Sequence, residues 1–321
     1  MGAADRQYCA PPPKDHIDAM SLVSDSMTVF DRRAVRRHRD RAAAAIGEFG
    51  FLTGHVGDQI LDRLDDVRRD FRDVLEIGGR DGALSRRLVG RKGIERSISC
   101  DLSPAMARLA ENGVAADEEA LPFAPGAFDL VVSNLSLHWT NDLPGALIQG
   151  ARVLKPDGLL LATLLGGDTL HELRRAMMEA EMEVAGGVSP RISPFTEVRD
   201  AGGLLQRAGF ALPVVDSDIV TVTYENAFRL IADLRGMGET QANLNRDPRP
   251  PGRAFWPAVA RHYHEMFGRP DGRIPATFQI ITLTGWAPHE SQQKPLRPGS
   301  AESRLADALG AEERRLPDRP L

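Results

Sequence analysis

The stretch LEIGGRDG, residues 75–82, joins a short apolar run to a glycine-rich loop. An apolar run that ends in glycines is typical of a buried strand followed by a tight turn. Glycines at that place let the backbone approach a ligand closely, although they also make ordinary turns. The spacing E-x-G-x-G-x-G is complete except that Arg80 replaces the middle glycine. The stretch therefore predicts a nucleotide-type cofactor loop with one altered position.

Strand-like and helix-like segments alternate on both sides of this loop. Such alternation predicts a parallel sheet covered by helices on both faces. The Ser-Pro pair at 103–104 predicts a helix start, since serine caps helices and proline suits their first position. The predicted strands are 74–77, 97–101, 128–133, 159–165, 214–224 and 277–286, with a weaker candidate at 114–116, and the predicted helices include 28–46, 56–67, 83–88, 143–154, 170–185 and 196–208.

Acidic side chains follow two of the predicted strands. Asp101 ends the second strand, and Asp117 follows in the segment ADEEALPF. Ligands of open parallel sheets bind outside the carboxyl ends of the strands, where an acid at the position of Asp101 accepts hydrogen bonds from ribose hydroxyls. An acid at the position of Asp117 can accept from an adenine amino group. Together with the loop, these acids predict an adenosine-containing cofactor.

The composition excludes several classes of protein. A net charge of -5 and a pI of about 5.9 argue against a general nucleic-acid or anionic-membrane surface. No apolar run approaches the length of about 18 residues needed to span a membrane. The two cysteines, Cys9 and Cys100, have neither the number nor the spacing of a disulfide framework or a zinc site. We therefore expect no metal site and no nucleic-acid partner.

The two ends of the chain differ from its middle. Residues 1–27 contain three consecutive prolines and several aspartates, and we expect them to form a disordered leader. The helix predicted at 28–46 is strongly basic, which is typical either of a solvated face or of a cationic lid or partner contact. Residues 289–321 predict an irregular tail with a short helix near 301–309. One domain, residues 28–288, remains between them.

The motifs together resemble the class I S-adenosylmethionine (SAM)-dependent methyltransferases of the type 11 group. The resemblance rests on the loop at 75–82, FDLVVSNLSLHW at 128–139 and LKPDGLLL at 154–161. It narrows with VFDRRAVRRHRDRAA near the start, GGDTLHELR, and IPATFQIITLTGWAPHESQQKP near the end. These segments are similar to the family of the mitochondrial complex I assembly factor 5 and its alphaproteobacterial homologues. Malonyl-carrier-protein methyltransferases are more distant relatives.

The resemblance implies a Rossmann-like sheet of seven strands, mostly parallel with an antiparallel last strand, and a helical insertion after the fifth strand. It implies SAM as the cofactor and His138 as the candidate catalytic base. The residues to which the resemblance assigns cofactor binding are Glu76, Gly78, Gly79, Arg80, Gly82, Asp101, Leu102, Asp117, Glu118 and Asn134.

Three functions follow from the resemblance. The first is a SAM-dependent methyltransferase that acts in respiratory complex I assembly, with a complex I subunit as its substrate or client. The second is an arginine hydroxylase of a complex I subunit, and the third is a non-catalytic assembly chaperone. The expected location is the bacterial cytoplasm, with peripheral contact at the inner membrane as an alternative. Arg80 either obstructs the methionine end of the cofactor or holds its carboxylate.

Overall fold

The computed structural model describes residues 28–193, 198–247, 249–293 and 310. The leader at 1–27 and the helix predicted at 301–309 lie outside this part of the chain. The chain divides into two compact units, residues 1–288 and 289–321. The first unit is described here. In the ranges that the structure describes, no helix combines the length and apolar character that a membrane span requires.

A seven-stranded sheet forms the centre of the first unit, with the strand order β3-β2-β1-β4-β5-β7-β6. β7 runs antiparallel to both β5 and β6, whereas the pairs among β1 to β5 are parallel. This confirms the predicted fold class, including the antiparallel last strand. The strands are β1 (Asp73–Ile77), β2 (Arg96–Asp101), β3 (Gly113–Ala115), β4 (Phe128–Asn134), β5 (Leu154–Leu165), β6 (Ala211–Tyr224) and β7 (Ile274–Trp286).

Helices cover both faces of the sheet, because the central strands are apolar on both sides. One face packs against α2, α3, α6, α8 and α9, and the other packs against α5 and α7. The helices are α1 (Arg32–Ala42), α2 (Phe51–Asp66), α3 (Ala83–Leu88), α4 (Pro104–Ala107), α5 (Leu143–Val153), α6 (His171–Ala185), α7 (Val198–Arg207), α8 (Ala227–Gly236) and α9 (Phe255–Phe267).

Several predicted boundaries were wrong; the helix predicted at 56–67, for example, begins at Phe51. The helix predicted at 28–46 ends as an α-helix at Ala42 and continues as a 3-10 helix, Ala43–Glu48. β5 begins at Leu154 instead of residue 159, because the apparent turn around Asp157 is an irregularity inside the strand, where the pairing with β4 shifts. Asp157 has a φ of 64°, the left-handed conformation that makes such a sequence read as a turn.

The carboxyl ends of β1, β2 and β4 meet at one edge of the sheet, since these strands are parallel neighbours. The N-terminal part of the chain lies over this edge. The Asn141 side chain holds it there, accepting hydrogen bonds from Val29 N (2.9 Å) and Phe30 N (2.7 Å) and donating one to Phe30 O (3.1 Å). α1 is therefore placed against the edge where the sequence predicts a cofactor.

Candidate functional site

The glycine-rich loop after β1 has the backbone that its spacing predicts. Gly78, Arg80 and Gly82 have φ values of 67°, 50° and 70°, so all three lie in the left-handed region. A side chain at Gly78 is also excluded by space, because its Cβ would stand 1.8 Å from Ser136 Oγ. Arg80 thus adopts a conformation that glycine would adopt without the strain of about 1–2 kcal/mol.

The side chain of Arg80 turns away from the loop. Its guanidinium donates to the carbonyl oxygens of Asn134 (3.0 Å) and Leu135 (2.9 Å) and to Glu239 Oε1 (2.9 Å). Its backbone N–H donates to Asp101 Oδ2 (3.1 Å). The residue therefore links the acid at the end of β2 to a carboxylate that follows α8.

A buried ion network fills the space above the ends of β2 and β4. Arg39 of α1 is 2% exposed and contacts Asp101 Oδ2 (3.3 Å) and Glu118 Oε1 (3.0 Å). Its other terminal nitrogen donates to Ser136 Oγ (2.8 Å). Burial alone would raise the pKa of Glu118, but Arg39 and Arg32 together lower it to about 2. Burial likewise opposes ionisation of Arg39, yet Asp101 and Glu118 raise its pKa. Glu118 and Arg39 are therefore both charged at neutral pH.

Arg32 extends this network to the predicted adenine side. Its guanidinium contacts Asp117 Oδ1 (2.7 Å) and the second carboxylate oxygen of Glu118. The basic helix was predicted either as a solvated face or as a lid, and the inward position of Arg32 and Arg39 favours the lid. Arg32 and Arg39 share one helix face with the buried Val35. The spacing of these three residues was therefore a sign that the two arginines point inward.

The first cavity, here called the loop cavity, lies between α2 and the glycine-rich loop and measures about 230 Å³. Asn134 lines it, and its Nδ2 donates to Thr53 O (2.8 Å), which fixes the amide orientation. Asn134 Oδ1 is buried and has no hydrogen-bond partner in the part of the chain that the structure describes. An unpartnered buried acceptor is costly, which favours a ligand that donates to it.

Glu76 forms the base of the loop cavity. Its carboxylate accepts from Ser85 Oγ (2.6 Å) and Ser85 N (3.2 Å). Burial nevertheless raises the pKa of Glu76 to about 7, against the lowering effect of these bonds. The side chain is therefore divided between its neutral and charged forms near neutral pH.

The second cavity, here called the insertion cavity, measures about 910 Å³. Most of its lining residues come from the segments after β5, with others from α1 and α2, and its inner end carries Trp139 and Glu239. The Glu239 side chain is 12% exposed and accepts from Trp139 Nε1 (2.7 Å). Burial would raise its pKa, but His138 and Arg80 lower it to about 2.

His138, the predicted base, lies in a 3-10 helix, Leu137–Trp139, with its side chain 1% exposed. Its Nε2 is 3.0 Å from Glu239 Oε2. It lines neither the loop cavity nor the insertion cavity, so its ring reaches the latter only through Glu239. Its catalytic role stays a prediction.

The remaining predicted residues lie around the same edge. Leu102 packs against the apolar patch formed by α1 and Trp139. Gly79 lies in the loop and lines the loop cavity, and Gly82 ends the loop as the N-cap of α3. The sequence did not predict Arg32, Arg39 or Glu239 as members of the site. Within the described ranges, no three histidine, cysteine or acidic side chains converge in a group that could hold a metal ion.

Comparison with known proteins identifies relatives over most of the chain. A family profile described as a methyltransferase domain matches residues 75–162. The mitochondrial arginine-hydroxylase NDUFAF5 of Danio rerio is 43% identical over 289 residues, which cover 88% of this chain and 89% of the relative. The human protein of the same name is also 43% identical, over 86% of this chain and 82% of its own length.

More distant relatives and a solved structure agree with the fold. A malonyl-[acyl-carrier protein] O-methyltransferase of Halorhodospira halophila is 36% identical, over 80% of this chain and 88% of the relative. The crystal structure of YcgJ from Bacillus subtilis superposes with a TM-score of 0.50 at 16% identity, over 73% of this chain and 99% of that one, and it supports the fold alone. The identity and coverage of the first relatives place the chain in the family of the arginine-hydroxylase NDUFAF5.

Proposed function

We propose that the chain binds SAM at the carboxyl edge of the sheet and acts as a SAM-dependent enzyme on a protein client in respiratory complex I assembly. The observation that carries this proposal is the loop cavity, which Gly78, Gly79 and Asn134 line together and in which Asn134 Oδ1 has no partner among the described residues. The amino group of a bound methionine moiety would donate to that oxygen. The chain's place in the NDUFAF5 family supports the proposed client.

The residues present fit SAM in both halves of the site. Asp101, Asp117 and Glu118 offer carboxylates for the ribose and adenine, and the loop cavity lined by Gly78 and Gly79 offers space for the methionine moiety. The loop cavity alone is smaller than the range of about 300–1,000 Å³ that is usual for ligand pockets. Arg39 occupies the carboxylates on the adenosine side. We therefore infer that Arg39 must leave Asp101 and Glu118 before the whole cofactor can bind.

Methyl transfer is the first candidate reaction. SAM supplies a methyl group on a sulfonium, which leaves the enzyme to hold and align the acceptor. Glu239 and Trp139 line the insertion cavity next to the cofactor loop, so an acceptor in that cavity meets a charged carboxylate at its inner end. A proton released by an amine or guanidine acceptor requires a base, and His138, whose Nε2 is 3.0 Å from Glu239 Oε2, is the predicted one.

Arginine hydroxylation is the second candidate, and the name of the relatives at 43% identity, arginine-hydroxylase, favours it. That reaction inserts an oxygen atom and requires an external oxidant and reductant. Incubation with methyl-labelled SAM and the client, followed by mass spectrometry of the client, distinguishes the two. A labelled methyl group supports transfer, and an added oxygen supports hydroxylation. A client that carries neither modification would contradict both enzymatic functions.

Cofactor binding has its own test, isothermal titration with SAM. Asp101→Asn should weaken SAM binding by about tenfold or more, since a charge-assisted hydrogen bond to ribose is lost. Asp65→Asn is the matched control, because Asp65 pairs with Arg91 on the exposed side of α2. Unchanged affinity in Asp101→Asn, or no binding by the unaltered protein, would contradict the proposed cofactor site.

A further inference from the structure

The insertion cavity has a division of charge that the proposed reaction does not use. Its walls are apolar and include Leu173 of α6, Ile231 of α8 and Phe278 of β7. Its inner end carries the carboxylate of Glu239, and its lining also includes the arginines Arg41, Arg191, Arg235, Arg246 and Arg249. A ligand that fills this cavity therefore meets one anionic end, apolar walls and several cations.

Glu239 is the carboxylate available to a ligand at the inner end. It accepts hydrogen bonds from Arg80, His138 and Trp139. A carboxylate has about four acceptor positions, so about one remains for a donor from the cavity. Asp247 also lines the cavity, but Arg249 engages both of its oxygens at 2.9–3.2 Å.

Three of the lining arginines already have partners. Arg191 contacts Glu181 (2.6 Å), Arg246 contacts Asp31 (3.5 Å) and Arg249 contacts Asp247 (2.9 Å). The side chains of the two others, Arg41 and Arg235, are exposed and make no ion pair or hydrogen bond with any residue in the described ranges. Arg41 lies in the last turn of α1 and Arg235 in the last turn of α8. These two cations are available to an anionic group of a ligand.

We propose that the insertion cavity binds a substrate peptide by three features at once. Glu239 accepts a hydrogen bond from the guanidinium of the target arginine, the apolar walls hold its neighbours, and Arg41 and Arg235 pair with acidic residues that flank the arginine. The proposal rests on the proposed function in taking an arginine-bearing protein as substrate. It adds a sequence preference, an arginine among apolar residues with a carboxylate nearby.

The test is fluorescence anisotropy of a labelled synthetic peptide with the full-length chain. The peptide carries one central arginine, apolar neighbours and an aspartate on each side. Companion peptides replace the arginine by norleucine or the aspartates by lysines. We expect the first peptide to bind tightest at low salt, with a difference from the lysine-flanked peptide that shrinks as salt is added, because exposed charges are screened.

Arg235→Glu is the informative variant, since Arg235 is exposed and its replacement leaves the core intact. It should weaken the aspartate-flanked peptide by about fivefold to tenfold and strengthen the lysine-flanked one. Arg229→Glu is the matched control on the same helix: Arg229 is 71% exposed, pairs with Glu225 and does not line the cavity. Equal effects of the two substitutions, or no preference for the aspartate-flanked peptide, would overturn the proposed role of Arg41 and Arg235.

Glu239→Gln tests the inner end. It should weaken the arginine peptide about tenfold and leave the norleucine peptide unchanged, and equal loss for both peptides would overturn the role of Glu239. Titration of the same protein samples with SAM separates the outcomes. Normal SAM binding without peptide selectivity refutes this inference alone, whereas absent SAM binding with intact peptide selectivity refutes the proposed cofactor.

Discussion

Replacement of Arg39 by methionine should lower the stability of the free protein and raise its affinity for SAM. Methionine keeps the apolar stem of the side chain but removes the guanidinium that contacts Asp101 and Glu118. Both carboxylates are buried, so the loss leaves charges with fewer partners. The same loss frees the groups that we assign to the ribose and adenine. A residue that only supported the fold would change stability without improving cofactor binding.

The magnitude follows from two routes. The pKa of Glu118 lies at about 2 instead of 4.5, and at about 1.4 kcal/mol per unit this shift represents about 3 kcal/mol of stabilisation of the charged form. Removal of one partner from a buried ion pair costs about 3–5 kcal/mol. Arg32 remains beside Glu118 and keeps part of the interaction. We therefore expect Arg39→Met to lower the free energy of unfolding by about 3 kcal/mol.

The loss should depend on pH in one direction. The folded-state pKa of Glu118 is depressed, so its stabilising contribution is present above the unfolded value of about 4.5 and is lost as pH falls toward about 2. The difference between the unaltered protein and Arg39→Met should therefore be largest above about pH 5 and shrink at lower pH. Urea denaturation at several pH values measures it.

Arg36→Met is the matched control, because Arg36 lies on the exposed side of the same helix and is 3.7 Å from Asp40. It should change the free energy of unfolding by no more than about 0.5 kcal/mol. Isothermal titration with SAM completes the experiment. The reasoning is refuted if Arg39→Met is as stable as Arg36→Met, or if it binds SAM more weakly than the unaltered protein, since the latter would make Arg39 a ligand of the cofactor instead of its competitor.

Two further substitutions test the loop. Glu76→Gln should raise the free energy of unfolding by up to about 3 kcal/mol at about pH 8 and leave it unchanged near pH 4.5, while the amide oxygen still accepts from Ser85. The reason is that the pKa of Glu76 is raised to about 7, so its stabilising contribution is present below its unfolded pKa and is lost as pH rises. Equal effects at both pH values in chemical denaturation would contradict this. Arg80→Gly should lower the free energy of unfolding by about 2 kcal/mol, because Glu239 loses a buried partner, although the substitution relieves a φ of 50°. Leu212→Gly relieves a similar φ of 49° at an exposed position, and stability equal to that of Arg80→Gly would show that the Arg80 contacts contribute nothing.

The sheet could be predicted from local sequence, because its buried strands are apolar runs and most connections between them contain a helix signal. The prediction failed where local and tertiary signals disagree. Residues 155–158 have turn chemistry, yet the flanking Leu154 and Leu159 pair with β4, and Asp157 and Gly158 hydrogen-bond to Ala287 just after β7, which keeps them inside β5. Propensity is a weak guide at such positions, since neighbouring strands supply the missing hydrogen bonds.

The candidate site was predictable only for residues on the loops of the sheet. Asp101 and Asp117 follow strands, so topology alone brings them together. Arg39 was hidden in a run of basic residues in which the exposed and buried positions are chemically alike. Glu239 lies 159 residues from Arg80 along the chain, in a segment without periodicity or motif. A contact of that kind depends on how the insertion folds back, which no local pattern specifies.

The position of Arg80 resolves the question that its residue type raises. The middle glycine of such a loop provides a left-handed backbone and room beside the ligand. Arg80 retains the first property, with its N–H directed to Asp101, and its guanidinium is held by Glu239 while the residue still lines the loop cavity. The altered residue therefore does not remove the loop from use. It connects one carboxylate that we assign to the cofactor, Asp101, with another that we assign to the substrate, Glu239.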